Sequence, residues 1–110
     1  MSFKFTRKPL IVAALALTTA LAACAAPHPA YEDAGYLNVL DQGNREIAAN
    51  PNYVRLPIDT DAQTDQFIDL SYSLYNGEIT KQQFTSQLQA AYPDPKYKGS
   101  IRWNADNFAQ

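Results

Sequence analysis

Apolar residues recur with helical spacing in the second half of the chain. Phe67, Ile68, Ser71, Leu74 and Tyr75 stand at i, i+1, i+4, i+7 and i+8, one stripe of an amphipathic helix. Asp65, Asp69, Tyr72 and Asn76 take the opposite side. The spacing predicts a helix over residues 60–76. Thr60 and Gln63 have capping-box spacing at its start, and Asp61 and Asp65 meet the positive end of the helix dipole. Gly77 stands where a left-handed C-terminal cap belongs. Thr80 and Gln83 repeat the capping-box spacing, and Phe84, Leu88 and Ala91 form the stripe of a second helix that Pro93 stops. Two helices joined by so short a turn fold back as a hairpin, with Ile79 filling the gap between them.

Other segments carry weaker patterns. Leu37, Leu40, Asn44 and Ile47 predict a helix over residues 34–50, with Asn44 as a polar interruption. Gly43 weakens that helix by ~1 kcal/mol relative to Ala and marks a possible break. Pro51 ends it, because the residue before a proline avoids the helical region. Tyr53, Val54, Leu56 and Ile58 are apolar, but Pro57 argues against a central strand. Residues 52–59 are expected to lie extended over the helices. Over residues 93–110, two prolines and a glycine precede Ile101 and Trp103, which alternate around Arg102. That alternation predicts a short strand or an extended tail. The fold class expected is mainly α: a small helical domain with a helix-turn-helix hairpin and extended flanking segments, following a cleavable N-terminal signal helix.

The first residues differ in kind. Lys4, Arg7 and Lys8 precede the run LIVAALALTTALAA over residues 10–23. Fourteen residues make a helix of ~21 Å, short of the ~30 Å hydrocarbon core. A basic start, a short apolar centre and a small-residue end are the anatomy of a secretory signal. Leu21-Ala22-Ala23-Cys24 resembles the lipobox of bacterial lipoprotein precursors at all four positions. The resemblance implies a thioether-linked diacylglycerol on Cys24, cleavage before it, and N-acylation. Several acyl chains, at ~0.8 kcal/mol per buried methylene, anchor a protein stably. In Gram-negative lipoproteins an Asp after the cysteine favours inner-membrane retention. Ala25 in that position implies the periplasmic face of the outer membrane, if the host has one. The expected organisation is a signal peptide over 1–23, a flexible proline-containing tether over 24–33, and a small helical domain over 34–110.

Charge and composition narrow the function. After Cys24 the chain holds six basic and eleven acidic residues, a net acidic domain without the basic patch that nucleic acid requires. Lys96, Lys98 and Arg102 either answer the acids Asp59, Asp61, Asp65 and Asp69, or both groups are separately solvated. Cys24 is the sole cysteine, so no intramolecular disulfide forms. A domain of this size gains little over the entropy of ordering it, which leaves room for a partner surface to complete the core.

No catalytic set emerges. His28, the only histidine, lies between two prolines and reads as a solvated tether residue. Asp65 and Asp69 share a helix face, a pairing that suits acid–base work but equally capping and solubility. Residues 76–84 resemble the second half of an EF-hand loop. That alignment puts Tyr72, Leu74 and Gln83 at ligand positions, and none of them supplies the carboxylate a hard cation needs. No cofactor or metal is expected. Leu70, Leu74, Gly77, Ile79, Thr80, Phe84 and Leu88 are similar to the short bacterial helical hairpin known as SHOCT, a resemblance that implies oligomerisation or service to other domains. The function expected is a non-catalytic, lipid-anchored envelope lipoprotein that binds another protein or itself. Tyr72, Tyr97 and Trp103 are the candidate contacts. The alternative is a peptidoglycan- or glycan-binding module in which Trp103, with Tyr97 and Phe108, stacks on sugar.

Overall fold

The structure, a computed structural model, describes residues 27–110. The expected signal peptide, Cys24 and Ala25 lie outside the described residues. Four α-helices make up the domain, and no strand occurs among the described residues. Helix α1 spans Ala34–Ala48, α2 Asp61–Tyr75, α3 Lys81–Ala91 and α4 Lys98–Phe108. Short 3-10 helices at Pro29–Glu32 and Pro95–Tyr97 precede α1 and α4.

The hairpin forms as its local chemistry dictates. Thr60 and Gln63 close one capping box, and Thr80 and Gln83 close another. Gly77 takes φ +76°, a conformation with little steric cost only for glycine. Its N–H donates to the Leu74 carbonyl at 3.0 Å, and the Glu78 N–H donates to the Ser73 carbonyl at 2.8 Å. Those two bonds are the Schellman closure of α2. Ile79 packs against the core from the turn.

One helix face and two segments depart from expectation. Helix α1 runs unbroken through Gly43, which is buried. Its core-facing seam is Tyr36, Leu40 and Gly43, so Asn44 sits outside it, exposed. The segment after Pro93 is neither strand nor tail but α4. Ile101, Ala105 and Phe108 stand at i, i+4, i+7 and are all buried, with Trp103 beside them. Helix α4 packs against each of the other three helices, so it is the hub of the bundle. Residues 28–33 do not belong to a tether. Ala30 is fully buried, and Asp33 caps α1 by accepting the Tyr36 N–H at 3.1 Å.

The core gathers Tyr36, Ile68, Leu74, Phe84, Leu88, Ile101 and Phe108, closed by Leu56 from the extended 53–58 segment. Tyr92 is buried where Ala91 was expected. Among the described residues the exposed large apolar side chains are Tyr31 (48%) and Val54 (40%). The other large apolar side chains among the described residues are buried or partly buried.

Candidate functional site

Helix α1 and helix α4 meet at Gly43. A Cβ there would lie 2.7 Å from Asn107 Nδ2 and 3.4 Å from Trp103 Cη2, so a side chain would fill the space where the two helices converge. That approach, with the 53–58 segment across the end, leaves a cleft of about 240 Å³. Leu40 and Ile47 of α1, Leu56 and Ile58 of the extended segment, Phe67 of α2 and Phe108 of α4 make it mostly apolar. Asn44, Asn104, Asn107, Tyr53, Arg55 and Trp103 add polar and aromatic chemistry.

A short network fixes the wall. Asn104 Nδ2 donates to Tyr53 Oη at 3.0 Å and to the Ser100 carbonyl at 2.9 Å. Ser100 Oγ donates to the Val54 carbonyl. The bonds to Tyr53 and to the Val54 carbonyl stitch the extended segment to α4. The Tyr53 and Trp103 rings meet edge to face at 5.8 Å, and they also wall a smaller hollow of about 160 Å³. Burial pushes the Tyr53 phenol pKa up, against the lowering effect of the Asn104 bond and the nearby Ser100 hydroxyl.

The Asn104 side chain is 3% exposed. Its two N–H groups are spent on Tyr53 and Ser100, and its carbonyl oxygen accepts no hydrogen bond from a described residue. A buried amide acceptor of that kind favours a donor. Arg55, the charged residue of the cleft wall, bonds Asp59, which raises its pKa further. The cleft thus offers neutral amides, one indole and apolar walls. Its volume is below the ~300–1,000 Å³ of pockets for drug-sized ligands, so it suits one ring or one side chain of a larger partner.

The expected contact residues do not come together. Trp103 lies half-buried at the cleft. Tyr97 lies in the 3-10 helix before α4, edge to face with Tyr92 at 6.0 Å and with Lys96 Nζ 5.2 Å from its ring centre. Tyr72 lies on α2, half-buried, and its hydroxyl donates to Asp33 Oδ2 at 3.0 Å. Phe108 is a core residue, stacked on Tyr36 at 5.7 Å. His28 is not a free tether residue. Its Nδ1 accepts the Ala30 N–H at 3.0 Å, and its Nε2 lies 3.3 Å from Asp69 Oδ1. Asp65 is exposed. Lys96, Lys98 and Arg102 form no ion pair with the acids of residues 59–69. The pairs among the described residues are Arg55–Asp59, Arg45–Asp41, Lys81–Asp106 and His28–Asp69.

Sequence reasoning missed the three asparagines and Tyr53. The available signal was the spacing of Asn104 and Asn107, i to i+3 beside Trp103, which shares a face only if residues 98–108 are helical. Among the described residues no group of three or more His, Cys, Asp and Glu side chains is placed to hold a metal ion, and no helix is long and apolar enough to cross a membrane. Comparison with protein-family models, with curated proteins and with solved structures finds no match to this chain.

Proposed function

We propose that the mature chain is a non-catalytic, lipid-anchored binding domain of the bacterial cell envelope, and that its cleft receives an envelope protein. The anchor rests on the Leu21–Cys24 pattern, and Ala25 favours the outer membrane's periplasmic face. The observation that carries the binding role is Trp103, half-buried at an apolar cleft whose one charged side chain is engaged by Asp59. Partly desolvated Trp and Tyr at a pocket are where interface energy concentrates. His28 is engaged by Ala30 and Asp69, outside the cleft.

A second reading has its own support. The amides of Asn44, Asn104 and Asn107 beside an indole also suit a saccharide ring, with the Asn104 carbonyl taking a hydroxyl or amide hydrogen. One experiment separates the two. A photo-crosslinking residue replaces Asn44 in the full chain, and intact envelopes are irradiated. A discrete protein adduct that Trp103→Ala abolishes supports the protein partner. Sedimentation with isolated cell-wall sacculi, lost in Trp103→Ala and without a protein adduct, supports the saccharide. Neither result, with Trp103→Ala still folded by circular dichroism, removes the cleft as the binding site.

A further inference from the structure

We infer that the strap of residues 28–33 is the membrane-facing surface of the domain, held against the lipid head groups of the bilayer that anchors it, with the cleft presented from the other end of α1. This rests on the lipid anchor at Cys24. The first argument is length. If all nine residues from Ala25 to Asp33 were free, the tether would reach about 30 Å. The structure leaves far less. Ala30 is fully buried, His28 is held by Ala30 and Asp69, and Asp33 holds both α1 and Tyr72. The span from Cys24 to His28 is four Cα steps, at most about 14 Å whatever its conformation. That is less than half the reach, so the strap cannot leave the head-group region by more than about half the ~30 Å diameter of a domain this size.

The second argument is chemical. Tyr31, the most exposed large apolar side chain among the described residues, sits on this strap. A tyrosine with a wet hydroxyl and an apolar ring suits the membrane–water interface. Glu32 beside it is exposed, and an ionised carboxylate keeps the strap at head-group depth. From the start of α1 to Ala48 the helix rises about 21 Å. The cleft begins at Leu40 and includes no residue of the strap. A partner reaching the cleft must therefore lie within about one domain diameter of the bilayer, which selects membrane-borne proteins over distant cell-wall strands.

The test uses the lipidated full-length product in phosphatidylethanolamine–phosphatidylglycerol vesicles carrying a head-group quencher. Cys24 is the sole cysteine and its sulfur is in the lipid thioether, so a single introduced cysteine is the one free thiol. Fluorophores at Glu32→Cys and Ala48→Cys are compared. Quenching several-fold stronger at position 32, reduced by inserting ten Gly and Ser residues between Ala26 and Pro27, supports the inference. Equal quenching at both sites in acylated protein overturns it and leaves the anchor standing. An N-terminal mass without acyl chains overturns the anchor, and this inference with it.

Discussion

Helix α1 has two ends with opposite habits. At its N-terminal end, polar groups are spent on one another. Tyr36 Oη and Ser71 Oγ share a buried hydrogen bond at 2.7 Å, and Ser71 Oγ lies 3.3 Å from the Ile68 carbonyl. Tyr72 donates to Asp33, and Asp33 accepts the Tyr36 N–H. The Tyr36 ring is edge to face with Tyr72 at 5.1 Å and Tyr75 at 5.8 Å. At the C-terminal end, the side chains of Asn44 and Asn107 bond no other described residue, and Asn104 keeps an unspent carbonyl. A buried polar group satisfied internally rigidifies a fold. Polar groups left unspent around an apolar cleft are available to something else. The clasp near Tyr36 is therefore where stability should be concentrated, and the cleft where binding should be.

The largest expected effect tests that division directly. Tyr36 is fully buried, and truncating a buried aromatic costs ~3–5 kcal/mol. Tyr36→Ala also leaves the buried Ser71 hydroxyl without its 2.7 Å partner. Trp103→Ala should cost less, because Trp103 is only partly buried, yet it should abolish the cleft adduct. Urea unfolding with the slope held constant measures both. Equal losses at the two positions would break the comparison.

Alkaline unfolding gives the next largest effect. Burial pushes the Tyr36 phenol from 10.0 up to about 12, opposed by the Ser71 bond and aided by the charge of Tyr31. The folded pKa lies above the unfolded one. The neutral phenol's contribution is therefore intact below about pH 10 and is lost as pH climbs toward about 12, because the unfolded chain releases its proton first. The loss should be on the order of 2–3 kcal/mol at the top of that window. Tyr53 and Tyr92 are shifted in the same direction and add smaller shares. Chemical denaturation between pH 9 and pH 12 should show the decline in the native protein, much reduced in Tyr36→Phe and little changed in Tyr53→Phe.

What could be read in advance follows the same division. The hairpin was legible because its signals are local: Thr60 with Gln63, Thr80 with Gln83, and Gly77 each act within one turn of chain. Helix α4 was not. Pro93, Pro95 and Gly99 suggested irregular chain, and Ile101 and Trp103 around Arg102 fit a period of two over three residues. The helical stripe Ile101, Ala105, Phe108 competes with that alternation, and only burial against three other helices decides between them. Residues 28–33 were misjudged for a related reason. Prolines at 27 and 29 read as linker, whereas Pro29 opens a 3-10 helix, a position where the missing N–H costs nothing. Of the site, Trp103 was recognised by residue type. Its asparagine neighbours and Tyr53 became visible only once tertiary packing had placed them.

The smallest expected effect separates the ends most sharply, because the same substitution should act differently on each. Gly35 and Gly43 both lie in α1, and propensity alone predicts that alanine at either gains up to ~1 kcal/mol. A Cβ at Gly35 would lie 2.3 Å from Tyr75 Oη. That hydroxyl ends a rigid ring packed on Tyr36 and stacked on Tyr72 at 6.4 Å. Gly35→Ala must displace the clasp and should destabilise by ~1–3 kcal/mol, the usual cost of overpacking. At Gly43 the nearest atom is Asn107 Nδ2 at 2.7 Å, the end of a short side chain that bonds no other described residue and can rotate away. Gly43→Ala should therefore leave stability within ~1 kcal/mol of the native value, with the helix gain offsetting the shift of Asn107. The displaced amide moves at the cleft wall, so the yield of the Asn44 crosslink should fall even though the protein is no less stable. Thermal melts read beside adduct yield would show the two ends uncoupled. A Gly43→Ala protein that loses stability as Gly35→Ala does would mean that the cleft wall is as tightly packed as the clasp.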